Sequence, residues 1–184
     1  MRLYHTGYSE IRFPDIHYGR KNADFGQGFY LSDNEEFSKR WAKERNGEKT
    51  YLNCYKLSAE DLKIKRLKKD TEWFDYILQN RAGKPDILAE YDIIIGPIAN
   101  DTIYNTMGIL TSGLLDRKTI LDILMVGSTY KQIVIKTEKA VSNLHFISSS
   151  VLTHEEIETY RDVVKQEETV FQKAFAEIVE NSFN

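Results

Sequence analysis

The order of short strand-like segments restricts the fold of this chain more than any other feature of its sequence. Six segments are rich in β-branched and aromatic residues, and Gly, Pro, Ser or Thr often ends them. They are RLYHTG, GFYLS, TYLNCYKLS, YDIIIGP, KQIVIKT and NLHFISSS. Helical patterns separate some of these segments but not others, so there is no regular βαβ alternation of the kind that builds a parallel sheet. The sequence therefore predicts an α+β domain.

Helical patterns lie between the strands. Asp33 or Asn34 can cap a helix that carries Phe37 and Trp41 on one face, because residues four apart in a helix lie on the same side. TEWFDYILQNR has apolar residues at helical spacing. We expect Trp41 and Trp73 to be core anchors.

Two further segments are less regular. Residues 102–126 are predicted to be helical in two pieces that are broken near Gly113. LKIKRLKK, at residues 62–69, alternates basic and apolar residues and is predicted to be a strand with one solvated face.

The pattern changes after residue 150. Thr153 and Glu156 form a capping box, which marks the start of a long helix. Apolar residues then recur at intervals of seven, at Ile157, Val164, Phe171 and Ile178. Residues 151–184 carry a net charge of −5, whereas residues 1–150 carry +2. The sequence thus divides into a domain at 1–150 and a C-terminal helix at 151–184, which either packs on that domain or docks a partner.

The composition indicates the kind of protein and the compartment in which it is expected. Of the 184 residues, 41% are apolar and 29% are charged, which are ordinary values for a globular protein. Cys54 is the single cysteine and has no partner for a disulfide. The beginning of the sequence lacks the apolar stretch of a signal peptide, and no apolar run is long enough to cross a bilayer. We expect a cytoplasmic protein with no membrane partner.

Two segments carry residues typical of a binding site: LYHTGYSEI at residues 3–11 and ADFGQGFYLSDN at residues 23–34. In the second segment, two glycines flank Gln27, and glycine permits close approach of a backbone to a ligand. Neighbouring side chains on a strand point to opposite faces, so Phe29 and Tyr30 must face opposite ways. One of them is expected in the core and the other in a cleft.

Together these segments resemble the ADP-ribosyltransferase superfamily of the His-Tyr-Glu type. A closer resemblance is to an uncharacterised bacterial branch with LYHGS, DFGxGFYLT, YDIVxGPxAND and QxxFxT segments. This chain has LYHTG, DFGQGFYLS, YDIIIGPIAND and QIVIKT in the same order, over residues 3 to about 147. The resemblance implies a split antiparallel β-sheet core with peripheral helices, and a cleft that binds NAD as substrate.

The resemblance also implies roles for individual residues. His5 would hydrogen-bond a ribose hydroxyl of NAD, and the backbone at Thr6 or Gly7 would hold the nicotinamide amide. Tyr30 would stack on the nicotinamide ring, where a cation–π term favours a positively charged ring. The residues expected to contact NAD are His5, Thr6, Gly7, Arg20, Gly28, Phe29, Tyr30, Asn100 and Asp101.

The third motif departs from the family pattern. Gln132 stands where the superfamily has Glu, so the expected catalytic set is His5, Tyr30 and Gln132. Three interpretations remain open: Gln132 replaces the acid in a working transferase, Asp101 or Glu138 supplies the acid, or the domain binds without catalysis.

The implied activity is transfer of ADP-ribose from NAD to a protein or nucleic acid. The alternatives are a non-catalytic module that binds NAD or ADP-ribose, and an NAD glycohydrolase. Toxin-type roles in this superfamily imply a small antitoxin-like protein as a further partner. We expect no metal, because His17 and His154 have no neighbour in the sequence at metal-ligand spacing.

Overall fold

The computed structural model describes residues 1–99, 115–127 and 130–182. Within these ranges the chain forms seven strands in two sheets. The first sheet contains β1 (Arg2–Gly7), β3 (Tyr51–Leu57) and β7 (Leu144–Val151), in the order β1-β3-β7. Both of its strand pairs are antiparallel.

The second sheet has the order β2-β6-β5-β4. Its strands are β2 (Phe29–Leu31), β4 (Ile64–Arg66), β5 (Ile93–Pro97) and β6 (Lys131–Ile135). Only the β4–β5 pair is parallel. Tyr4 of β1 and Ser32, just after β2, exchange two backbone hydrogen bonds of 2.8 and 3.0 Å, which join the two sheets. The predicted α+β class is confirmed, with two mostly antiparallel sheets.

Five helices lie in the described part of the chain. They are α1 (Glu35–Lys39), α2 (Thr71–Arg81), α3 (Arg117–Met125), α4 (Glu138–Ser142) and α5 (His154–Ser182). α2 covers the predicted TEWFDYILQNR segment, whereas α4 was not predicted. α3 falls within the predicted 102–126 segment, but Gly113 and the earlier part of it lie outside the described residues. None of the described helices combines the length and the apolar character that a membrane span needs.

Side chains satisfy the backbone at the starts of α1 and α5. The Asn34 side chain accepts a hydrogen bond from the Phe37 amide, so Asn34 rather than Asp33 caps α1. At α5, the Thr153 amide donates to the Glu156 carboxylate at 2.8 Å, and the Glu156 amide donates to Thr153 Oγ1 at 3.2 Å. The predicted capping box is confirmed.

The core has one apolar cluster on each face of β6. Ile133 and Ile135 pack with Leu3 and Tyr55 between the two sheets, whereas Val134 points the other way and packs with Trp73 on α2. Trp73 is fully buried, as predicted.

The predicted core position of Trp41 is wrong. α1 ends at Lys39, so Trp41 lies beyond the helix, and 41% of it is exposed.

The C-terminal helix packs on the domain near its start and in its second half. Ile157 is buried with Leu52 and Leu152 near the start of α5, and Phe171 is buried against Ile123 of α3. The seven-residue row of apolar positions is therefore the face that contacts the rest of the protein.

Candidate functional site

A cleft of about 420 Å³ opens where β1, β2, α1 and the start of β6 meet. Its lining includes His5 from β1, Tyr30 from β2 and Gln132 from β6. Tyr30 and Gln132 lie near each other because β2 and β6 are adjacent antiparallel strands, with Leu31 opposite Ile133. The three residues predicted to form the catalytic set thus line one cleft.

A backbone contact fixes the orientation of the His5 ring. Its Nδ1 lies 2.8 Å from the Tyr30 carbonyl oxygen, which can only accept a hydrogen bond, so Nδ1 must donate. Nε2 is then the free acceptor of a neutral ring. Burial lowers the pKa of His5, and the bond to Tyr30 opposes this shift only in part. Near pH 7, His5 is therefore a neutral hydrogen-bonding group in the cleft.

Gly7 leaves room beside the His5 ring. A Cβ atom at Gly7 would lie 3.2 Å from His5 Nε2. The absence of a side chain at Gly7 therefore keeps the free nitrogen of His5 accessible, a role different from the expected backbone contact with a ligand.

Two hydrogen bonds hold the Tyr30 hydroxyl. It donates to the Gly26 carbonyl oxygen at 2.7 Å and accepts from the Phe25 amide at 3.0 Å. Burial raises the pKa of Tyr30, so the phenol stays neutral. With the hydroxyl engaged in the loop, the ring is what Tyr30 contributes to the cleft.

Buried ion pairs hold the loop that contacts Tyr30. Arg81 Nη2 lies 2.8 Å from Asp24 Oδ1, and Lys136 Nζ lies 2.9 Å from Asp86 Oδ2. Lys136 also donates to the Phe25 carbonyl oxygen at 2.6 Å. Since charged groups away from water need partners of this kind, the loop has few alternative positions. The Asp24–Arg81 pair ties this loop to the last residue of α2.

Gln132 presents an amide to the cleft. It is only 7% exposed, and its Nε2 has no hydrogen-bond partner among the described residues. A buried amide group without a hydrogen-bond partner lowers the stability of the fold. The Gln132 amide is therefore suited to donate a hydrogen bond to an acceptor atom of a ligand.

Two predicted contact residues have other roles in the structure. A Cβ at Gly28 would lie 2.6 Å from both the Ile135 carbonyl oxygen and Val134 Cγ1, so Gly28 allows β6 to approach rather than a ligand. Phe29 is buried in the core, with its ring centroid 4.6 Å from that of His5. The expectation that Phe29 and Tyr30 face opposite ways is confirmed, and Phe29 is the core residue.

The remaining predicted residues differ in whether their side chains are free to contact a ligand in the cleft. Thr6 lines the cleft, but its hydroxyl donates to the Ser38 carbonyl oxygen at 2.6 Å. Arg20 is exposed on the cleft wall. Asn100 and Asp101 lie outside the described residues.

Glu138, one of the two suggested sources of an acid, is not part of the cleft lining. It begins α4 and faces His17 on the protein surface at 3.9 Å. This position argues against Glu138 as the missing acid.

One wall of the cleft was not predicted. Phe37, Ser38, Trp41 and Lys43, in and just after α1, also line the cleft. Their sequence position directly after DFGQGFYLS could have indicated them. Aromatic residues at helical spacing are equally typical of a core, however, and the sequence does not separate the two cases.

A second group of polar side chains lies on the surface away from the cleft. The possible ligand atoms of Glu44, His154 and Glu158 lie within 4.8 Å of one another. Glu158 follows His154 by one helical turn of α5, a spacing visible in the sequence, whereas Glu44 is brought to them by the fold. Exposed carboxylates of this kind often group without a metal, and no metal site is inferred.

The protein belongs to the family described as "Protein of unknown function (DUF3990)", whose model matches residues 1–146. That segment contains the residues that line the cleft and ends before α5. No curated protein matches the chain.

Proposed function

We propose that this protein has an ADP-ribosyltransferase-like fold and transfers ADP-ribose from NAD to a macromolecule. The observation that carries the proposal is the presence of His5, Tyr30 and Gln132 in one cleft. They come from three separate strands, and their sequence order is that of the three motifs of the superfamily. The volume of the cleft, about 420 Å³, lies in the range of ligand pockets.

The three side chains suit the groups around the bond that breaks. A neutral His5 with a free Nε2 can accept a hydrogen bond from a ribose hydroxyl. The ring of Tyr30 can stack on the positively charged nicotinamide. The Gln132 amide can donate to a ribose oxygen.

The proposed reaction is a displacement at the ribose carbon C1′. The bond from C1′ to the nicotinamide nitrogen breaks, and its electron pair leaves with nicotinamide, which becomes neutral. An acceptor oxygen, nitrogen or sulfur forms the new bond to C1′ and releases its proton to water or a base. The positive charge that develops on the ribose needs a polar environment, which Gln132 supplies through its dipole rather than a full charge.

A labelling experiment tests transfer. The purified protein is incubated with NAD labelled in its adenylate part and a bacterial lysate, with and without nuclease. We expect label on macromolecules; label that survives nuclease means a protein acceptor, and label lost to nuclease means a nucleic acid. Free ADP-ribose without labelled macromolecules would instead indicate an NAD glycohydrolase.

A titration with matched variants tests the site. His5→Ala and Tyr30→Ala should each weaken NAD binding by at least about tenfold, the equivalent of one good polar or stacking contact. The controls are His145→Ala and Tyr18→Ala, which change exposed residues that do not line the cleft. Equal affinity in all five proteins, wild type included, would reject the assignment.

One observation favours binding without catalysis. Asp24 is the only carboxylate among the described residues that line the cleft, and it is paired with Arg81. If the protein is a binding module, wild type and Gln132→Glu should both bind NAD and both leave it intact. Turnover by the wild type would exclude this alternative.

A further inference from the structure

The C-terminal helix contacts the wall of the cleft that α1 and the residues after it form. Tyr160 of α5 hydrogen-bonds the Glu36 carboxylate through its hydroxyl, and the Lys39 ammonium lies 5.6 Å from the centre of the Tyr160 ring. His154 Nδ1 lies 2.6 Å from Glu44 Oε1. These contacts bind α5 to residues 36–44, although α5 lies outside the segment that the family model matches.

The central contact in this interface is an ion pair between Arg40 and Glu167. The two side chains are 16% and 28% exposed, so the pair is partly withdrawn from water. The Arg40 guanidinium also lies 4.7 Å from the centre of the Tyr130 ring, and the Tyr130 hydroxyl lies 3.4 Å from Glu167 Oε1. Arg40 and Tyr130 therefore share Glu167 as a hydrogen-bond acceptor.

Tyr130 transmits this contact to the cleft. Its ring is stacked on Phe37, with centroids 4.2 Å apart and planes 13° from parallel. Phe37 in turn contacts the ring of Trp41 edge to face at 6.1 Å. Both Phe37 and Trp41 line the cleft. A continuous series of contacts thus leads from Glu167 on α5 to the two aromatic side chains of the cleft wall.

The physical reason for this arrangement lies in Arg40. Its Nε has no hydrogen-bond partner among the described residues and is buried, so the charge depends on Glu167 and on the face of Tyr130. If the carboxylate is removed, a partly buried guanidinium is left without a counter-charge, which is unfavourable. Arg40 is then expected to turn toward water and leave the Tyr130 ring. The Tyr130–Phe37 stack and the position of Trp41 would change with it.

We propose that Glu167 is a positioning residue for the cleft, and that α5 thereby forms part of the ligand-binding unit. Glu167 does not line the cleft and acts through Arg40, Tyr130 and Phe37. The inference about the cleft wall is independent of the ligand. Only its consequence for NAD affinity rests on the proposed function.

Fluorescence quenching by acrylamide tests the wall directly. The chain has two tryptophans, of which Trp73 is fully buried and Trp41 is 41% exposed, so quenching reports Trp41. A Trp41→Phe variant, which should lose the quenchable emission, checks this assignment. In Glu167→Gln the Stern–Volmer constant should rise, by up to about twofold, as Trp41 leaves its packed position. Arg40→Lys, which keeps the charge but removes the planar group over Tyr130, should change it in the same direction.

Glu168→Gln is the matched control. Glu168 is the next residue on the same helix and accepts a hydrogen bond from Gln172 at 3.3 Å, within α5 itself. It should leave the quenching of Trp41 unchanged. If Glu167→Gln fails to fold, Glu167→Asp, which keeps the charge on a shorter side chain, replaces it in the comparison.

Two readouts separate positioning from stability. Unchanged quenching of Trp41 in folded Glu167→Gln and Arg40→Lys, whatever their melting temperatures, would overturn the proposal, because α5 would then support only the stability of the fold. Altered quenching together with about fivefold weaker NAD binding would support both proposals. Altered quenching in a protein whose wild type does not bind NAD would support the role of Glu167 and reject the proposed ligand.

Discussion

The hydroxyl and the ring of Tyr30 have different roles. The hydroxyl bonds the Gly26 carbonyl oxygen and the Phe25 amide, whereas the ring lines the cleft. Tyr30→Phe removes only the hydroxyl and leaves two buried backbone groups without a partner. We therefore expect the free energy of unfolding to fall by about 1 to 3 kcal/mol. The affinity for NAD, the proposed ligand, should stay close to that of the wild type.

Urea unfolding and calorimetric titration measure these two effects. Tyr18→Phe is the control, because Tyr18 is 93% exposed and its loss of a hydroxyl should change neither quantity. A Tyr30→Phe protein as stable as the wild type would show that the hydroxyl does not hold the loop.

We expect His5 to make the stability of the protein depend on pH, with less stability at low pH. Its pKa is lowered by burial in the folded protein, so below about pH 6.5 the unfolded chain binds the proton more readily. The free energy of unfolding should therefore decrease as the pH falls below that value, and His5 should contribute no change above it. The contribution of His5 is lost as the pH falls toward the lowered pKa of the folded state.

Unfolding curves of the wild type and His5→Gln across this pH range isolate the contribution. Gln keeps a hydrogen-bond donor for the Tyr30 carbonyl but does not titrate, so its curve should fall less steeply. His154, whose pKa is raised by Glu44, has the opposite sign and is present in both proteins, so it cancels in the difference. Parallel profiles for the two proteins would contradict the prediction.

Among the helices and strands, the sequence predicted those elements whose formation depends on neighbouring residues, through apolar spacing or capping. The apolar spacing of TEWFDYILQNR predicted α2, and the Thr153–Glu156 capping box predicted the start of α5. The helices α1 and α4 both have five residues. α1 was predicted from its cap and its aromatic pair, whereas the Thr137 cap of α4 was not recognised.

Pairing between distant strands was not predictable in the same way. Nothing local in β4 indicates that it runs parallel to β5 while every other pair is antiparallel. The same limit applies to the cleft. His5, Tyr30 and Gln132 could be associated through the order of their motifs, but the wall at Phe37 depends on Tyr130, which is distant in sequence.

Substitution of two glycines, Gly28 and Gly7, tests whether the close contact at each position is required. Gly28→Ala places a Cβ 2.6 Å from the Ile135 carbonyl oxygen, so β2 must move away from β6. We expect a loss of about 1 to 3 kcal/mol in the free energy of unfolding. Gly7→Ala places its Cβ 3.2 Å from a side-chain atom, His5 Nε2, which is a milder conflict. It should affect the proposed binding of NAD more than the stability of the fold.

Thermal or urea unfolding and NAD titration of both variants make the comparison. Each variant is the control for the other, since the same methyl group is added at two sites. Equal losses of stability would mean that Gly28 is not specifically required by β6.

The whole molecule is expected to unfold as one unit, because α5 packs on the domain through buried side chains near its start and in its second half. Phe171 is 2% exposed and packs on Ile123 of α3, whereas the adjacent Val170 is 71% exposed. Phe171→Ala should lower the free energy of unfolding by about 3 to 5 kcal/mol. Val170→Ala, the matched control, should change it by less than about 0.5 kcal/mol.

The number of transitions distinguishes one unit from two. Circular dichroism follows all helices, whereas the buried Trp73, observed in a Trp41→Phe protein, reports the domain alone. If α5 and the domain are one unit, both probes should give the same midpoint in Trp41→Phe and the same shifted midpoint when Phe171→Ala is added. An early loss of helical signal with an unchanged Trp73 transition would mean that α5 unfolds separately. In that case Glu167 could hold the cleft wall only under conditions in which the helix is docked.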